Sequence, residues 1–295
     1  SIHVRIMPEV KLAELTFSEP AEKVHSATEY GYYIYLLQKP FEPFDTLICT
    51  FDLAYAEKGF STWGRRTEIV PNGTFFRNEF LPYFGYDERF VITDKKERKK
   101  AGLAEREFEA PGLTDSSAYG DTYISQNADR IRYEAVVSTE AGQIALTCGD
   151  LKEEWEKDGR KYFRYRMEEP IWNFYPFLSA RFEVVRDNAG DTDIEIYYQK
   201  GHDYNLDKMI GAAKSTLAYC NTQFYPFQHK ALRIVEFPRY SLYAQSFAGI
   251  IPFSEGVGFI VDVDDKKDID LPYYITAHEI AHQWWGHQIC AADVK

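Results

Sequence analysis

The sequence predicts a β-rich N-terminal region, residues 1–201, followed by a mixed α/β region, residues 202–295. Three observations lead to this prediction. Tyr, Phe and Trp make up 16% of the 295 residues, and aromatic residues are enriched in strands. Short apolar runs separated by turn residues continue as far as Gln199. Apolar residues at helical spacing begin only after Gly201, so the two regions differ in their expected secondary structure.

The N-terminal strands are predicted from β-branched and aromatic runs, and their connections from turn residues. Asp158-Gly159 lies between two such runs and is a strong hairpin signal. Turns are also expected at Pro71-Asn72-Gly73 and at residues 188–190. The charged stretch 93–108 is interpreted as a surface helix or an excursion from the sheet. Strands are predicted at residues 30–37, 47–55, 131–137, 143–148, 151–155, 161–167, 180–186 and 193–198.

Beyond the β-rich region, apolar residues recur every three or four positions over residues 206–220, which predicts a helix with Asn205 as its N-cap. Strands are predicted at residues 231–237 and 257–263. A second helix is predicted from Pro272 to His287, with the proline in its first turn.

Composition excludes several classes of protein. A formal net charge of -12 argues against nucleic-acid binding, which needs concentrated Lys and Arg, and the one basic cluster at residues 95–100 is interpreted as a solvated face. The four cysteines are far apart, so neither a structural zinc site nor a disulfide scaffold is indicated. No signal peptide or membrane-spanning run is present, and the compartment and oligomeric state stay open. Because the chain starts at Ser1 and stops soon after the motif described next, a soluble fragment of a longer protein is expected.

The run His278-Glu279-Ile280-Ala281-His282 is the most informative motif. On a helix, residues four apart lie on one face, so His278 and His282 can offer two imidazole nitrogens to one metal ion. Glu279 would then lie beside the ion, where a carboxylate can take a proton from activated water. The uncharged neighbours of the motif suit a buried site. The sequence therefore predicts a zinc hydrolase, with Glu279 as the catalytic residue.

A catalytic zinc usually has three protein ligands and one open position. His278 and His282 supply two. His287 is a weak candidate for the third, since five residues correspond to about 140° of rotation around a helix. The third ligand is expected to be a carboxylate beyond Lys295. A chain with two ligands is expected to retain its single Zn²⁺ poorly and to show little peptidase activity.

The segment His-Glu-x-x-His-Gln-Trp-Trp-Gly resembles the zinc-binding motif of the aminopeptidase-N-like family of zinc metallopeptidases, the gluzincins. In that family a Glu beyond the motif completes the zinc site. The resemblance implies a β saddle domain over residues 1–201 and the N-terminal part of a thermolysin-like domain over residues 202–295. It implies that His278 and His282 bind zinc and that Glu279 is the general base. A peptide is then the expected substrate.

The same family carries a Gly-x-Met-Glu-Asn segment before the first zinc ligand, and its Glu binds the free α-amine of the substrate. Glu255 is the acidic residue of this chain at the corresponding place, and the resemblance implies that it binds the substrate amine, although the rest of that segment is not matched. The segment from Phe237 to Glu255 also resembles peptidase domains attached to bacterial transporter-permease-like membrane proteins. A membrane tether in the parent protein is therefore one expectation.

Two other interpretations of the sequence stay open. Pro252-Phe253-Ser254-Glu255-Gly256 is one residue away from the G-x-S-x-G elbow of serine hydrolases, but proline replaces the glycine that the sharp turn needs. The other interpretation is a catalytically inactive metallopeptidase-like domain used for binding or scaffolding in a membrane-associated protein.

Overall fold

The structure is a computed structural model that describes residues 1–42, 44–56, 68–85, 91–106, 112–116, 122, 124, 130–264 and 266–292. Within these ranges the chain forms mainly β-strands and only a few helices. The helices are α1 (Lys95–Lys100), α2 (Leu206–Gln223) and α3 (Leu271–Ala281). The strands are β1 (Ile2–Arg5), β2 (Lys11–Phe17), β3 (Ala21–Ala27), β4 (Tyr32–Leu37), β5 (Cys49–Ala54), β6 (Thr74–Arg77), β7 (Tyr83–Phe84), β8 (Glu134–Glu140), β9 (Ile144–Leu146), β10 (Asp150–Lys157), β11 (Arg160–Arg166), β12 (Pro176–Ala180), β13 (Phe182–Ala189), β14 (Thr192–Gln199), β15 (Ala231–Phe237) and β16 (Ile250–Ser254).

Contacts divide the chain into two compact units, and the first contains Ser1–Ala56, Glu79–Asp129 and Ala291–Lys295. Its described part has an antiparallel sheet in the order β3-β4-β1-β7 and a two-stranded ribbon of β2 and β5. Helix α1 is capped by Asp94, whose side chain accepts hydrogen bonds from the backbone N–H groups of Lys96 and Glu97. The predicted charged excursion is therefore a short capped helix over part of its length, and its last two residues lie outside the described ranges.

The second unit contains Glu57–Asn78 and Arg130–Cys290. Two three-stranded antiparallel sheets, β6-β12-β9 and β10-β11-β8, are built from its first part. Asp158 and Gly159 connect β10 to β11 with φ angles of 52° and 73°. Positive φ at both positions is the requirement of a type I′ hairpin turn, so the predicted turn is confirmed.

A four-stranded mixed sheet in the order β13-β14-β15-β16 supports the two longer helices. Strand β14 pairs with β13 antiparallel and with β15 parallel, and β15 pairs with β16 parallel. The connection from β14 to β15 contains α2, as a parallel crossover requires. After β15 the chain returns as an edge segment, residues 243–247, which runs antiparallel to β16.

All seven residues of β15 are buried because both faces of this sheet are covered. On one face Leu232 and Ile234 pack in a core with α2 and with Ile280 and Trp284 of the zinc-motif region. On the other face Val235 and Phe237 pack in a second core with β9, β11 and β12. Helix α3, which contains the His278-Glu279 part of the motif, therefore packs on the sheet whose edge is formed by residues 243–247.

Three expectations from the sequence differ from the structure. Residues 255–260 form turns, and the strand lies earlier, at β16, because Gly258 interrupts the predicted run of residues 257–263. Asn205 does not cap α2 with its side chain, which instead donates to the carbonyls of Gly258 and Val261. Helix α3 ends at Ala281, six residues earlier than predicted, and the chain continues in turns.

The helix starts were predicted more closely. Pro272 lies in the first turn of α3, and Asp270 caps that helix by accepting the N–H of Tyr273. No described helix is both long and apolar enough to cross a membrane. The second compact unit includes residues on both sides of Gly201, so the domain boundary expected near Gly201 stays a prediction.

Candidate metal centre

His278 and His282 lie one helical turn apart at the C-terminal end of α3, and their Nε2 atoms are 3.2 Å apart. The two rings meet edge-on, with an interplanar angle of 86° and centroids 4.8 Å apart. Two ligands of a tetrahedral zinc ion at roughly 2.0–2.1 Å would be about 3.3 Å from each other. The separation of the two nitrogens therefore fits a shared zinc ion.

The tautomer of His282 is set by its second ring nitrogen. Nδ1 lies 3.0 Å from the backbone carbonyl oxygen of Trp285, which can only accept, so Nδ1 carries the proton. Nε2 is then left with a lone pair directed toward the Nε2 atom of His278. A backbone carbonyl that fixes the far nitrogen is the usual arrangement of metal-binding histidines. His278 is exposed and His282 half-buried, so the pair is open to solvent.

Glu279 is buried, with 8% of its surface exposed. Burial raises the pKa of its carboxyl, while His282, His278 and the backbone N–H of Ser246 oppose the shift. A carboxyl with a raised pKa is better matched to accepting and then returning a proton near neutral pH. The motif thus places an imidazole pair beside a partly desolvated carboxylate.

Among the described residues, no third His, Cys, Asp or Glu joins the two imidazoles in a group with the geometry of a metal site. His287, the weak candidate from the sequence, is 4% exposed and lies with Nε2 3.1 Å from the backbone carbonyl oxygen of Ser246. Its Nε2–H therefore donates to that oxygen and is not directed to a metal. Burial lowers the pKa of His287 to about 4, so the ring is neutral.

The neutral state of His287 predicts a loss of stability in acid. Its folded pKa of about 4 lies below the ordinary value of 6.5, so below pH 6.5 the unfolded chain binds a proton that the folded chain does not. The stabilising contribution is complete above about pH 6.5 and is lost as the pH falls toward 4. Between about pH 7 and about pH 5.5, the free energy of unfolding should fall by about 1 kcal/mol more in the wild type than in His287→Gln. Urea unfolding across this range measures the difference, and parallel pH profiles for the two proteins would contradict it.

Glu255 lies in a different group from the two imidazoles. Its carboxylate forms a cluster with His202 and Glu236, whose ligand atoms all lie within 4.8 Å of one another. Glu255 accepts the backbone N–H of Arg239 at 3.0 Å. These residue types can hold a divalent cation, but the fully buried Glu236 already accepts from the backbone N–H of Gln199 and contacts Nδ1 of His202. Neither His202 nor Glu236 was identified from the sequence, because no local spacing links three residues that far apart.

The serine-hydrolase interpretation receives no geometric support. Ser254 is fully buried in β16, and its Oγ donates to the backbone carbonyl of Ser241 at 2.6 Å. A catalytic serine must be accessible to its substrate and hydrogen-bonded to a base. Ser254 therefore has a structural role within the strand.

Comparison with solved structures shows which fold this is. The chain matches an M1 zinc metallopeptidase from Deinococcus radiodurans with a TM-score of 0.59 and 14% identity, over 99% of this chain and 57% of that one. It matches a two-domain M1 zinc metallopeptidase variant bound to L-arginine with a TM-score of 0.57 and 13% identity, over 99% of this chain and 58% of that one. The chain has the fold of the M1 zinc metallopeptidases. The M1 fold is thus reproduced over nearly every residue of this chain, which spans less than two thirds of those structures.

Sequence comparison gives a weaker signal in the same direction. The chain is 21% identical to a probable aminopeptidase 1 from Saccharolobus solfataricus over 168 residues, which is 55% of this chain and 21% of that protein. No family model matches the sequence. At these identities the M1 fold is established by structure, and the resemblance of the motif to aminopeptidase N agrees with it.

Proposed function

We propose that this chain carries the zinc-binding helix of a peptidase that hydrolyses peptide bonds near the N-terminus of its substrate. One observation supports the proposal most directly: the Nε2 atoms of His278 and His282 are 3.2 Å apart next to the buried Glu279. The M1 fold and the weak similarity to an aminopeptidase support the same reaction class. We also propose the finer architecture: a saddle-like β domain up to residue 201 and part of a thermolysin-like domain from residue 202.

His278 and His282 would hold one Zn²⁺, which when bound polarises a carbonyl and lowers the pKa of water toward neutrality. Glu279 accepts the proton that water loses as it attacks the scissile carbonyl carbon. The same carboxyl then donates this proton to the leaving amine nitrogen as the C–N bond breaks. The burial of Glu279 favours the first step, because a raised pKa makes its carboxylate a stronger base.

The test of the proposed function is zinc-dependent hydrolysis. The full-length protein, not the 295-residue chain, is saturated with Zn²⁺ and offered an aminoacyl-anilide, and release of the aniline is followed with and without a chelator. Release that a chelator abolishes and added zinc restores is the expected result. Release that persists in the chelator, or that a serine-reactive probe removes, would contradict the proposal.

Glu255 is proposed to bind the free α-amine of the substrate, since a carboxylate is the natural partner of an ammonium group. Glu255→Gln should then raise KM for an aminoacyl-anilide by about tenfold, the cost of weakening one charge-assisted hydrogen bond. Turnover of the N-acetylated analogue should not change, because that substrate has no ammonium group. If Glu255→Gln leaves both KM values alone, the amine is bound elsewhere.

A second candidate function is a binding or scaffolding domain without catalysis, in a protein tethered to a membrane. The observation that favours it is that, among the described residues, no third His, Cys, Asp or Glu joins His278 and His282 in a group with the geometry of a metal site. Fewer protein ligands bind zinc more weakly, so the 295-residue chain should lose zinc to a chelator of micromolar affinity. Zinc content after competition with such a chelator measures this. Stoichiometric zinc that survives the competition would mean that a third ligand is present and would favour the enzyme.

A further inference from the structure

The peptide group between Trp285 and Gly286 is hydrogen-bonded on both of its sides. Its carbonyl oxygen accepts a hydrogen bond from Nδ1 of His282 at 3.0 Å, and its N–H donates to the carbonyl oxygen of Ile289 at 2.7 Å. A trans peptide is planar, and its C=O and N–H point in opposite directions. The two bonds therefore fix the plane of this peptide and direct its oxygen at the ring of a histidine of the zinc motif.

The orientation of this peptide depends on a backbone conformation that glycine alone adopts readily. Gly286 is buried and has a φ angle of 132°, where a Cβ atom is disfavoured. The nearest value open to other residues is about −160°, which is a rotation of roughly 70° from 132° about the N–Cα bond. Such a rotation would either turn the Trp285 carbonyl away from His282 or withdraw the N–H from Ile289.

The two residues before Ile289 are held by the side chain of Arg130. Its Nη2 atom donates to the backbone carbonyl oxygens of His287 at 2.8 Å and Gln288 at 2.9 Å. The guanidinium also lies over the ring of Trp172, 4.8 Å from its centroid, which limits its movement. A cation is favourable beside the last carbonyls of a helical stretch. Arg130 thus fixes the chain that carries the Ile289 carbonyl.

The start of the same turn is attached to the sheet by Gln283, which is 1% exposed. Its Nε2 donates to Oγ of Ser246 at 2.6 Å and to the carbonyl of Phe247 at 2.8 Å. Its Oε1 accepts the N–H of Gly249 at 2.9 Å. Buried hydrogen bonds of this kind meet little competition from water. The turn of residues 283–289 is therefore held at both ends, which leaves the peptide between them little freedom.

We propose that Gly286 and Arg130 are positioning residues for His282. Gly286 permits the orientation of the peptide that accepts from Nδ1, and Arg130 holds the turn that completes this orientation. Together they keep Nδ1 protonated and leave the lone pair of Nε2 for Zn²⁺. The partner of the far nitrogen sets the tautomer and direction of a ligating imidazole, so its loss lowers metal affinity about 10- to 100-fold. The proposal rests on the proposed function only in taking His282 as a zinc ligand.

The tautomer of His282 tests the contact directly in the metal-free 295-residue chain. At about pH 8, where imidazoles are neutral, the ring-nitrogen chemical shifts should show a protonated Nδ1 and an unprotonated Nε2. Gly286→Ala should move the ring toward a protonated Nε2, the form that an unconstrained neutral imidazole favours. Arg130→Ala should move it in the same direction by a smaller amount, because Arg130 acts through the turn.

Zinc affinity supplies the second measurement, by competition with a fluorescent zinc indicator. The dissociation constant should rise about tenfold in Gly286→Ala and about threefold in Arg130→Ala. Gly190→Ala is the matched glycine control, because Gly190 has a φ angle of 63° in the turn between β13 and β14. Arg132→Ala, which removes an exposed arginine two positions along, is the matched arginine control. Neither control should change the tautomer or the affinity.

The proposal is overturned if either Gly286→Ala or Arg130→Ala folds and keeps both the wild-type tautomer and the wild-type zinc affinity. It is also overturned if Gly190→Ala changes both as strongly as Gly286→Ala does. Arg130 is exposed, so Arg130→Ala decides the question even where Gly286→Ala does not fold. Failure of the proposed function is separate: the zinc-saturated full-length protein would then leave an aminoacyl-anilide intact, whatever the tautomer of His282 does in the metal-free chain.

Discussion

Glu279→Gln is expected to reduce kcat of the zinc-saturated protein by about a thousandfold while zinc stays bound. The substitution keeps the size of the side chain and leaves the two imidazoles unchanged. It removes the carboxylate that takes a proton from water and returns it to the leaving nitrogen. Steady-state hydrolysis of an aminoacyl-anilide by the full-length protein, with zinc content measured on the same sample, checks both halves of this expectation.

Glu279→Asp is the matched control because it keeps the charge and shortens the side chain by one methylene group. It should retain part of the turnover that Glu279→Gln loses, because a carboxylate is still present but lies one methylene length from its original position. Near-normal turnover in Glu279→Gln would show that another group is the base. Loss of zinc together with turnover would show that Glu279 acts on the metal ion itself.

Loss of either imidazole is expected to weaken zinc binding by about a hundredfold or more, since second-shell changes alone cost 10–100-fold. His278→Ala and His282→Ala each remove one of the two nitrogens that lie 3.2 Å apart. With one ligand left, no chelate remains to hold the ion. Competition with a fluorescent zinc indicator gives the dissociation constants for the 295-residue chain and its variants.

His287→Gln is the control for this measurement because the structure places His287 on Ser246 and not on the imidazole pair. It should leave the zinc dissociation constant within about twofold of the wild type, since it changes neither ligand. If His287→Gln weakens zinc binding as strongly as His282→Ala, then His287 is a ligand in the zinc-bound protein. Equal affinities for His278→Ala and the wild type would exclude His278 from the site.

The elements that the sequence predicted well are those whose signals are local. The Asp158-Gly159 turn, the β10–β11 hairpin and the start of α3, predicted at Pro272 and observed at Leu271, depend on neighbouring residues. Strand β16 was missed because its proline and fully buried serine do not alternate as in a half-exposed strand. Its two faces are buried because Ile250 packs in one core and Ile251 and Phe253 pack in the other, which no local pattern encodes.

In the candidate site, too, the local feature was predicted and the long-range contacts were missed. The i, i+4 spacing of His278 and His282 is sufficient to predict convergent imidazoles, and the structure has them converging. The contacts of Ser246 with Gln283 and His287 were not predicted, because these residues lie 37 and 41 positions after it and meet it only through the return of the chain along β16. The buried His202–Glu236 contact was missed for the same reason, since it joins two residues that are 34 apart.

The bonds of the Gln283 side chain to Phe247 and Gly249 involve only main-chain atoms of those two residues. The contact between the edge of the sheet and Gln283 therefore depends little on the side chains of that edge. The side chain of half-buried Gln245 accepts a hydrogen bond from Arg77 at 3.4 Å, while its backbone pairs with β16, so an exchange of Gln245 loses that one bond and not the attachment. This makes position 245 a suitable place to vary the chemical character of the edge by saturation mutagenesis while the histidine pair stays intact.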